Sequence, residues 1–182
     1  MIDILWSIDK TLFLVINHLP HNLFSDYLFA FFSGIGTWGI VWIVIGIVLF
    51  IWEELKDKKG LVALVVACLF IILFVDGGLK NFIKRPRPEF SIEKTIVVFD
   101  RRGTYSFPSG HTALAFAAAY ILAKEHKKWS RWYYLLAFLI AFSRIYLGKH
   151  YPSDVLFGII IGISIGYLSL ILSTKFKALN LK

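Results

Sequence analysis

Gly60 to Pro88 reads GLVALVVACLFIILFVDGGLKNFIKRPRP: an apolar run that ends in a burst of cations. The run over Gly60–Phe82 matches the roughly 17–25 residues a bilayer-spanning helix needs. Two more polar segments break the apolar pattern further along. Pro108–His111 reads PSGH, and Ser143–Asp154 reads SRIYLGKHYPSD. Ionisable groups beside hydrocarbon are costly, so a set of them at helix ends marks a candidate site. Cationic donors combined with His111, His150 and Asp154 suit nucleophilic attack on a phosphate.

Composition agrees with a membrane setting. Of 182 residues, 58% are hydrophobic, and the mean hydropathy is +0.69; soluble domains hold about 45–50% apolar residues. A net charge of +8 raises nucleic acid as a partner. The basic residues, however, fall in the connections between apolar runs and form no basic domain, so no nucleic-acid partner is expected. Membrane lipids, an anionic substrate and topology signals account for them better. The single cysteine, Cys68, lies mid-run and reads as a small buried residue. The N-terminus, MIDILWSIDK, has no basic leader and no small-residue cleavage site, so no removable signal is expected.

Candidate spans are Thr37–Leu55, Gly60–Phe82, Ser109–Lys124, Trp129–Leu147 and Pro152–Thr174. Ile2–Leu19 adds a sixth, despite Asp3, Asp9 and Lys10, with Asn22–Ser33 as a short helix at the outer interface; the reverse assignment stays open. The expected fold is therefore all-α and integral to the membrane, six transmembrane helices forming one domain over residues 1–182. Lys56, Lys58 and Lys59 share one side with Lys127, Lys128 and Arg131 and with the tail lysines 175, 177 and 182 if the spans alternate. The positive-inside rule makes that side cytoplasmic, with both termini inside and all three polar segments facing out of the cell membrane. Trp38, Trp52, Trp129 and Trp132 fall near span ends, as interfacial anchors do. Gly158, Gly162 and Gly166, opposite the small face of Ala113, Ala117 and Ala118, favour packing between those two helices over a dimer interface. The oligomeric state is left open.

Each polar segment also has a plainer reading when taken singly. Ser109 is a natural N-cap, and Gly110 lets backbone approach a ligand, yet PSGH alone is equally a helix cap. Exposed amides at a helix start bind phosphate readily. His150 and Asp154 are spaced i, i+4 and meet in a helical turn, as a catalytic or a structural pair. Arg87 and Arg144 offer forks suited to phosphate oxygens. Lys80 has Asp76 four residues before it, so a structural ion pair is its alternative.

Taken together, Lys80 with Arg87-Pro88, Pro108–His111, and Ser143-Arg144 with His150 and Asp154 closely resemble the type 2 phosphatidic acid phosphatase superfamily. That family's pattern is K-x6-R-P, then P-S-G-H, then S-R-x5-H-x3-D, and every position matches within residues 80–154. The resemblance implies a membrane lipid phosphatase in which His150 is the nucleophile, forming a phosphohistidine, and Asp154 polarises it. It implies that His111 protonates the leaving group and then activates water. Lys80, Arg87, Ser109, Gly110 and Arg144 would hold the phosphate. No carboxylate cluster suited to a metal accompanies the motifs, so no metal or other cofactor is expected.

Among bacterial lipid phosphates, undecaprenyl diphosphate is the first expectation, with phosphatidylglycerophosphate, phosphatidate and the 1-phosphate of lipid A as rivals. The motifs grip the group common to all of them. A vanadate haloperoxidase resembles the family at this site but is soluble. A non-catalytic lipid-phosphate binding or transport protein needs no pair of histidines. His18, His21 and His126 read as solvated loop residues. The 89–107 loop, with Glu89, Glu93, Lys94, Asp100, Arg101 and Arg102, is either a gate or a connector.

Overall fold

The structure is a computed structural model and describes residues 2–52, 59–99 and 105–179. The lysines at 56, 58 and 182, the loop residues 100–102, and the side chains of Trp38, Lys175 and Lys177 lie outside the described residues. Nine α-helices are described. They are α1 (Ile2–Asn17), α2 (Leu23–Ile35), α3 (Ile40–Ile51), α4 (Lys59–Phe70), α5 (Lys80–Ile83), α6 (Pro88–Ser91), α7 (Gly110–Glu125), α8 (Ser130–Tyr146) and α9 (Pro152–Leu179). A 3-10 turn, Thr37–Gly39, joins α2 to α3.

Helix α7 is the axle. Ala113, Ala115, Ala117 and Ala119 are buried on a helix whose small side chains let α4, α8 and α9 pack around it. The closest approach is to α9. A Cβ on Gly158 would stand 2.9 Å from the Ser109 carbonyl oxygen, and one on Gly166 would stand 2.8 Å from that of Ala117. Both distances are shorter than van der Waals contact allows, so the glycine row seats α9 directly on the α7 backbone. This is the packing between two helices of one chain that the small-residue row suggested.

The six-crossing bundle expected from the sequence is not supported by the helices. Among the described residues, two segments are long and apolar enough to cross a membrane: Lys59–Ser91, with 33 residues and hydropathy 2.7, and Pro152–Thr174, with 23 residues and hydropathy 2.5. A third arises only if α2 and α3, bent by 64° across the turn between them, count as one span. The other expected spans fail on length. Helices α1 and α7 have 16 residues each and α8 has 17; at about 1.5 Å per residue, none covers a hydrocarbon core of about 30 Å. Helix α1 also buries Asp9. The apolar residues of α7 face protein on every side, so their hydropathy reflects a core and not a lipid contact. Two spans still make this a multi-pass membrane protein.

The long segment from Lys59 changes pitch before the cations. Ile71–Leu79 winds as a π-helix, a wider turn that often marks functional positions. It delivers Lys80, after which Lys84 takes a left-handed φ of 53° and ends α5. Pro86 and Pro88 then hold the residues before them extended. Arg87 sits at φ −73°, ψ 159°, ahead of Pro88 in the first turn of α6. The molecule therefore has two unlike ends. Lys59 at the start of α4, Lys124 near the end of α7 and Thr174 late in α9 line one small cavity. The end of the π-helical segment, the start of α7, the end of α8 and the approach to α9 line another.

Candidate active site

That second cavity has a volume of about 910 Å³, far more than a phosphate group fills. Of the eight expected site residues, Lys80, Arg87, Gly110, His111, Arg144 and His150 line it. Asp154 and Ser109 do not; each is fully buried in the wall behind. Four elements thus bring one polar set to one place.

Each cation is held by an acceptor in the protein. Lys80 Nζ lies 2.5 Å from Asp76 Oδ1, so its structural ion pair and its place in the cavity coexist. Arg87 donates from Nη1 to the Lys149 carbonyl at 2.9 Å. Arg144 donates from Nη1 to Ser33 Oγ of α2. His111 Nε2 and Thr37 Oγ1 are 3.3 Å apart. The Asp76 carboxylate presses against the start of α7, where any Cβ on Gly110 would strike it. A larger residue there would push Asp76 aside and disturb its pair with Lys80.

Ser109 occupies the N-cap position of α7 but makes no side-chain cap. Its Oγ accepts from Thr112 Oγ1 at 2.9 Å, and its N–H donates to the Asp154 carbonyl at 3.1 Å. It ties the start of α7 to the start of α9. His150 is buried just before α9, and its Nδ1 stands 3.5 Å from Asp154 Oδ2. That is an ion-pair separation and too long for a good hydrogen bond; among the described residues Nδ1 has no hydrogen-bond partner. Burial first, then Arg87, Arg144 and Lys80, push the His150 imidazole well below its ordinary 6.5, while the Ser106 backbone works weakly the other way. The lowered pKa favours the neutral ring, the form a nucleophile requires.

Several participants escape a sequence reading. Arg85, inside the RPRP stretch, donates to Asp154 Oδ1 at 2.6 Å and to Asp9 Oδ2 of α1 at 2.7 Å. Asp9 had stood out only as a carboxylate in an apolar helix. Lys149 lines the cavity and pairs with Glu89 at 3.4 Å. Val98 and Phe99 form part of the wall, so the 89–99 stretch is more than a connector. Asn17 pins it, donating to the Ile96 carbonyl and accepting from the Ile96 N–H, each at 2.8 Å. His18 is exposed and bonds to the Lys94 carbonyl. His21 is half-buried instead of solvated, held by Asp26 at 2.6 Å and stacked on Tyr146. Among the described residues, no three His, Cys, Asp or Glu side chains group as metal ligands do.

Comparison with known proteins shows the family. Residues 60–178 match the family model described as the PAP2 superfamily. A lipid A 4'-phosphatase of Bacteroides thetaiotaomicron is 32% identical over 98% of this chain and 82% of its own length. An undecaprenyl-diphosphatase of Sulfolobus acidocaldarius is 31% identical over 71% of this chain and 62% of its own. The crystal structure of Aquifex aeolicus LpxE superposes with a TM-score of 0.73 at 37% identity, covering 88% of this chain and 93% of that one. With its polar motifs gathered on one cavity at the ends of packed helices, the chain belongs to the PAP2 superfamily, a family of catalytic membrane lipid phosphatases.

Proposed function

We propose that this chain removes phosphate from a lipid phosphate or diphosphate through a phosphohistidine on His150. The observation that carries this reading is the meeting of His150, His111, Lys80, Arg87 and Arg144 on one cavity, with Asp154 behind His150. The cations and the amide-bearing start of α7 take the phosphate oxygens, exchanging their acceptors in the protein for a stronger anion. With Nδ1 turned toward Asp154, Nε2 attacks phosphorus. Burial first, then Arg144, His150, Lys80 and Arg87, hold the His111 imidazole well below its ordinary 6.5, so it takes up a proton from solvent as the phosphate anion offsets those cations. The bond from phosphorus to the lipid-side oxygen then breaks, and His111 gives that proton to the departing oxygen. Water then attacks the phosphohistidine, His111 takes its proton, and inorganic phosphate departs. No step calls for a metal, since side-chain cations carry the charge.

Undecaprenyl diphosphate remains the first substrate. Lys80, Arg87, Arg144 and Lys149 line a cavity roomy enough for more than one phosphoryl group. The lipid A type of monophosphate is the second reading, favoured by a lipid A 4'-phosphatase that matches 98% of the chain. Phosphate release from undecaprenyl diphosphate, lipid A, phosphatidylglycerophosphate and phosphatidate, for wild type against His150→Ala, tests both enzyme and substrate. Equal release by the two proteins sinks the histidine mechanism.

The cavity faces outward in this proposal, because Lys59, Lys124, Lys127 and Arg131 belong to the opposite ends of the same helices. Single cysteines at Ser91 and at Lys127, in a Cys68→Ala background, report this directly. An impermeant reagent added to intact cells should label position 91 and spare 127; the opposite pattern moves the site to the cytoplasm.

A further inference from the structure

Asp9 belongs to none of the three motifs and lies on α1, far from them in sequence, yet it is buried. It closes a network around Arg85. Arg85 Nη2 donates to Asp9 Oδ2 at 2.7 Å, while Nη1 donates to Asp154 Oδ1 at 2.6 Å and to Ser153 Oγ at 2.7 Å. Ser153, in the first turn of α9, donates from its N–H to Asp9 Oδ1 at 2.8 Å and from its Oγ to Oδ2 at 2.5 Å. The guanidinium is covered by the Tyr151 ring at 4.1 Å and by Trp6, also from α1, at 5.2 Å. Asp154 Oδ2 accepts from the Tyr151 N–H at 2.9 Å.

The charges in this network pose a problem. Asp154 is the carboxylate that faces His150, at 3.5 Å. Arg85 is closer to it, at 2.6 Å. One carboxylate and one guanidinium in contact present almost no net charge to the imidazole. Asp9, on the other side of Arg85, changes the sum. Two carboxylates around one guanidinium leave a single negative charge behind His150. That charge is what the ring lacks once it reacts. As Nε2 bonds phosphorus, the electron pair of the breaking phosphorus–oxygen bond leaves on the lipid-side oxygen, which takes its proton from His111. The ring keeps its Nδ1 proton and becomes cationic. Lys80, Arg87 and Arg144 repel that cation from the cavity side, which makes a counter-charge behind it more valuable.

We propose that Asp9 is a positioning residue for phosphoryl transfer. By sharing Arg85 it leaves Asp154 with the negative charge that His150 needs, and by gripping Ser153 it fixes the first turn of α9. This rests on the reading of His150 as nucleophile. Neither Asp9 nor Arg85 lines the cavity, so the effect belongs to turnover and not to substrate binding.

The test is a charge-restoration experiment on the purified full chain in detergent, with p-nitrophenyl phosphate and phosphatidate as probes. Asp9→Asn neutralises the network, and kcat should fall by about 10–100-fold, the usual cost of losing a group that supports a reacting ligand from behind. KM should stay within about twofold. Adding Arg85→Gln to Asp9→Asn removes the cancelling cation and returns the single negative charge, so the double variant should turn over faster than Asp9→Asn alone. A purely structural network predicts the reverse, since a second lost partner makes packing worse. The proposal is overturned if the double variant is as slow as Asp9→Asn or slower, or if Asp9→Asn keeps wild-type kcat while His150→Ala is dead. Turnover by His150→Ala faults the nucleophile assignment instead. If Asp9→Asn does not fold, the double variant is compared with wild type: kcat within about threefold supports the charge argument, and a hundredfold loss overturns it.

Discussion

Gly158→Ala should disable this protein without touching a single reacting group. A Cβ at position 158 would lie 2.9 Å from the Ser109 carbonyl oxygen, 3.0 Å from Thr112 Cβ and 3.2 Å from Thr112 Cγ2. Ordinary contact begins near 3.5 Å, so each neighbour must yield by about half an ångström. The Ser109 carbonyl cannot move freely, because it accepts the first α7 hydrogen bond from the Ala113 N–H at 2.9 Å. Overpacking of this kind costs about 1–3 kcal/mol. For a chain of this size each kcal/mol lowers Tm by about 2–4 °C, giving a fall of about 2–12 °C.

The same displacement separates the start of α7, with His111, from the start of α9, with Asp154. Misplacement by about an ångström can cost 10²-fold in rate, so kcat should drop by about tenfold or more. Gly78→Ala is the matched control. It is exposed and its Cβ would meet nothing closer than the Leu73 carbonyl at 3.7 Å, so its Tm should hold. Thermal unfolding and phosphate release, measured in one detergent, decide the matter. If Gly158→Ala and Gly78→Ala share both Tm and kcat, the α7–α9 crossing does not position the site.

Other consequences follow from the site itself. His150→Ala should be dead on all substrates, whereas His111→Ala should lose about 10²–10⁴-fold on a lipid alkoxide yet keep measurable turnover of a phenol-type ester, whose leaving group needs little acid help; the opposite ranking reverses the two roles. Activity should survive EDTA and yield to vanadate, which adopts five-coordinate geometry; full loss in EDTA with rescue by Mg²⁺ contradicts a site built on side-chain cations. The acid limb of kcat/KM should fall below pH 6.5, because burial and the three nearby cations lower the His150 pKa and keep its ring neutral until more acid is present. A limb above 6.5 means that another group controls the reaction.

The sequence marked the candidate site more clearly than it marked the fold around it. Lys80, Arg87, Gly110, His111, Arg144 and His150 are legible because charge at the ends of apolar runs has few cheap explanations. The spans misled for a related reason. Hydropathy cannot tell a helix that faces lipid from one that faces its neighbours, and the apolar run of α7, from Ala113 to Ala119 and again at Ala123, is buried by protein. Ser109 shows a finer failure: its position is that of an N-cap, but Thr112 supplies a local partner for the hydroxyl. Asp9 and Arg85 lie 76 residues apart, and only the docking of α1 against the first turn of α9 brings them together. A carboxylate in an apolar helix is the visible trace of such a partner, and it does not say where the partner is.

The arrangement of charge explains why so many ionised groups are tolerated in so small a space. On the cavity side, among the described residues, Lys80 pairs with Asp76 and Lys149 with Glu89, and Arg87 and Arg144 add two more cations. A bound phosphate group brings about −1.5 to −2. Behind His150, the proposed role of the Asp9–Arg85–Asp154 network is to leave one negative charge for the imidazolium that attack by His150 would form. On the proposed mechanism each side gains a compensating charge only when substrate is bound or reacting. The cations are restrained meanwhile by weaker acceptors, Ser33 Oγ for Arg144 and the Lys149 carbonyl for Arg87. The α7–α9 crossing and the buried network behind the wall hold both sides in register along the line from Asp154 through His150 to the cavity. A site organised in this way gains more from the transition state than from the resting substrate, and that difference is what accelerates a reaction.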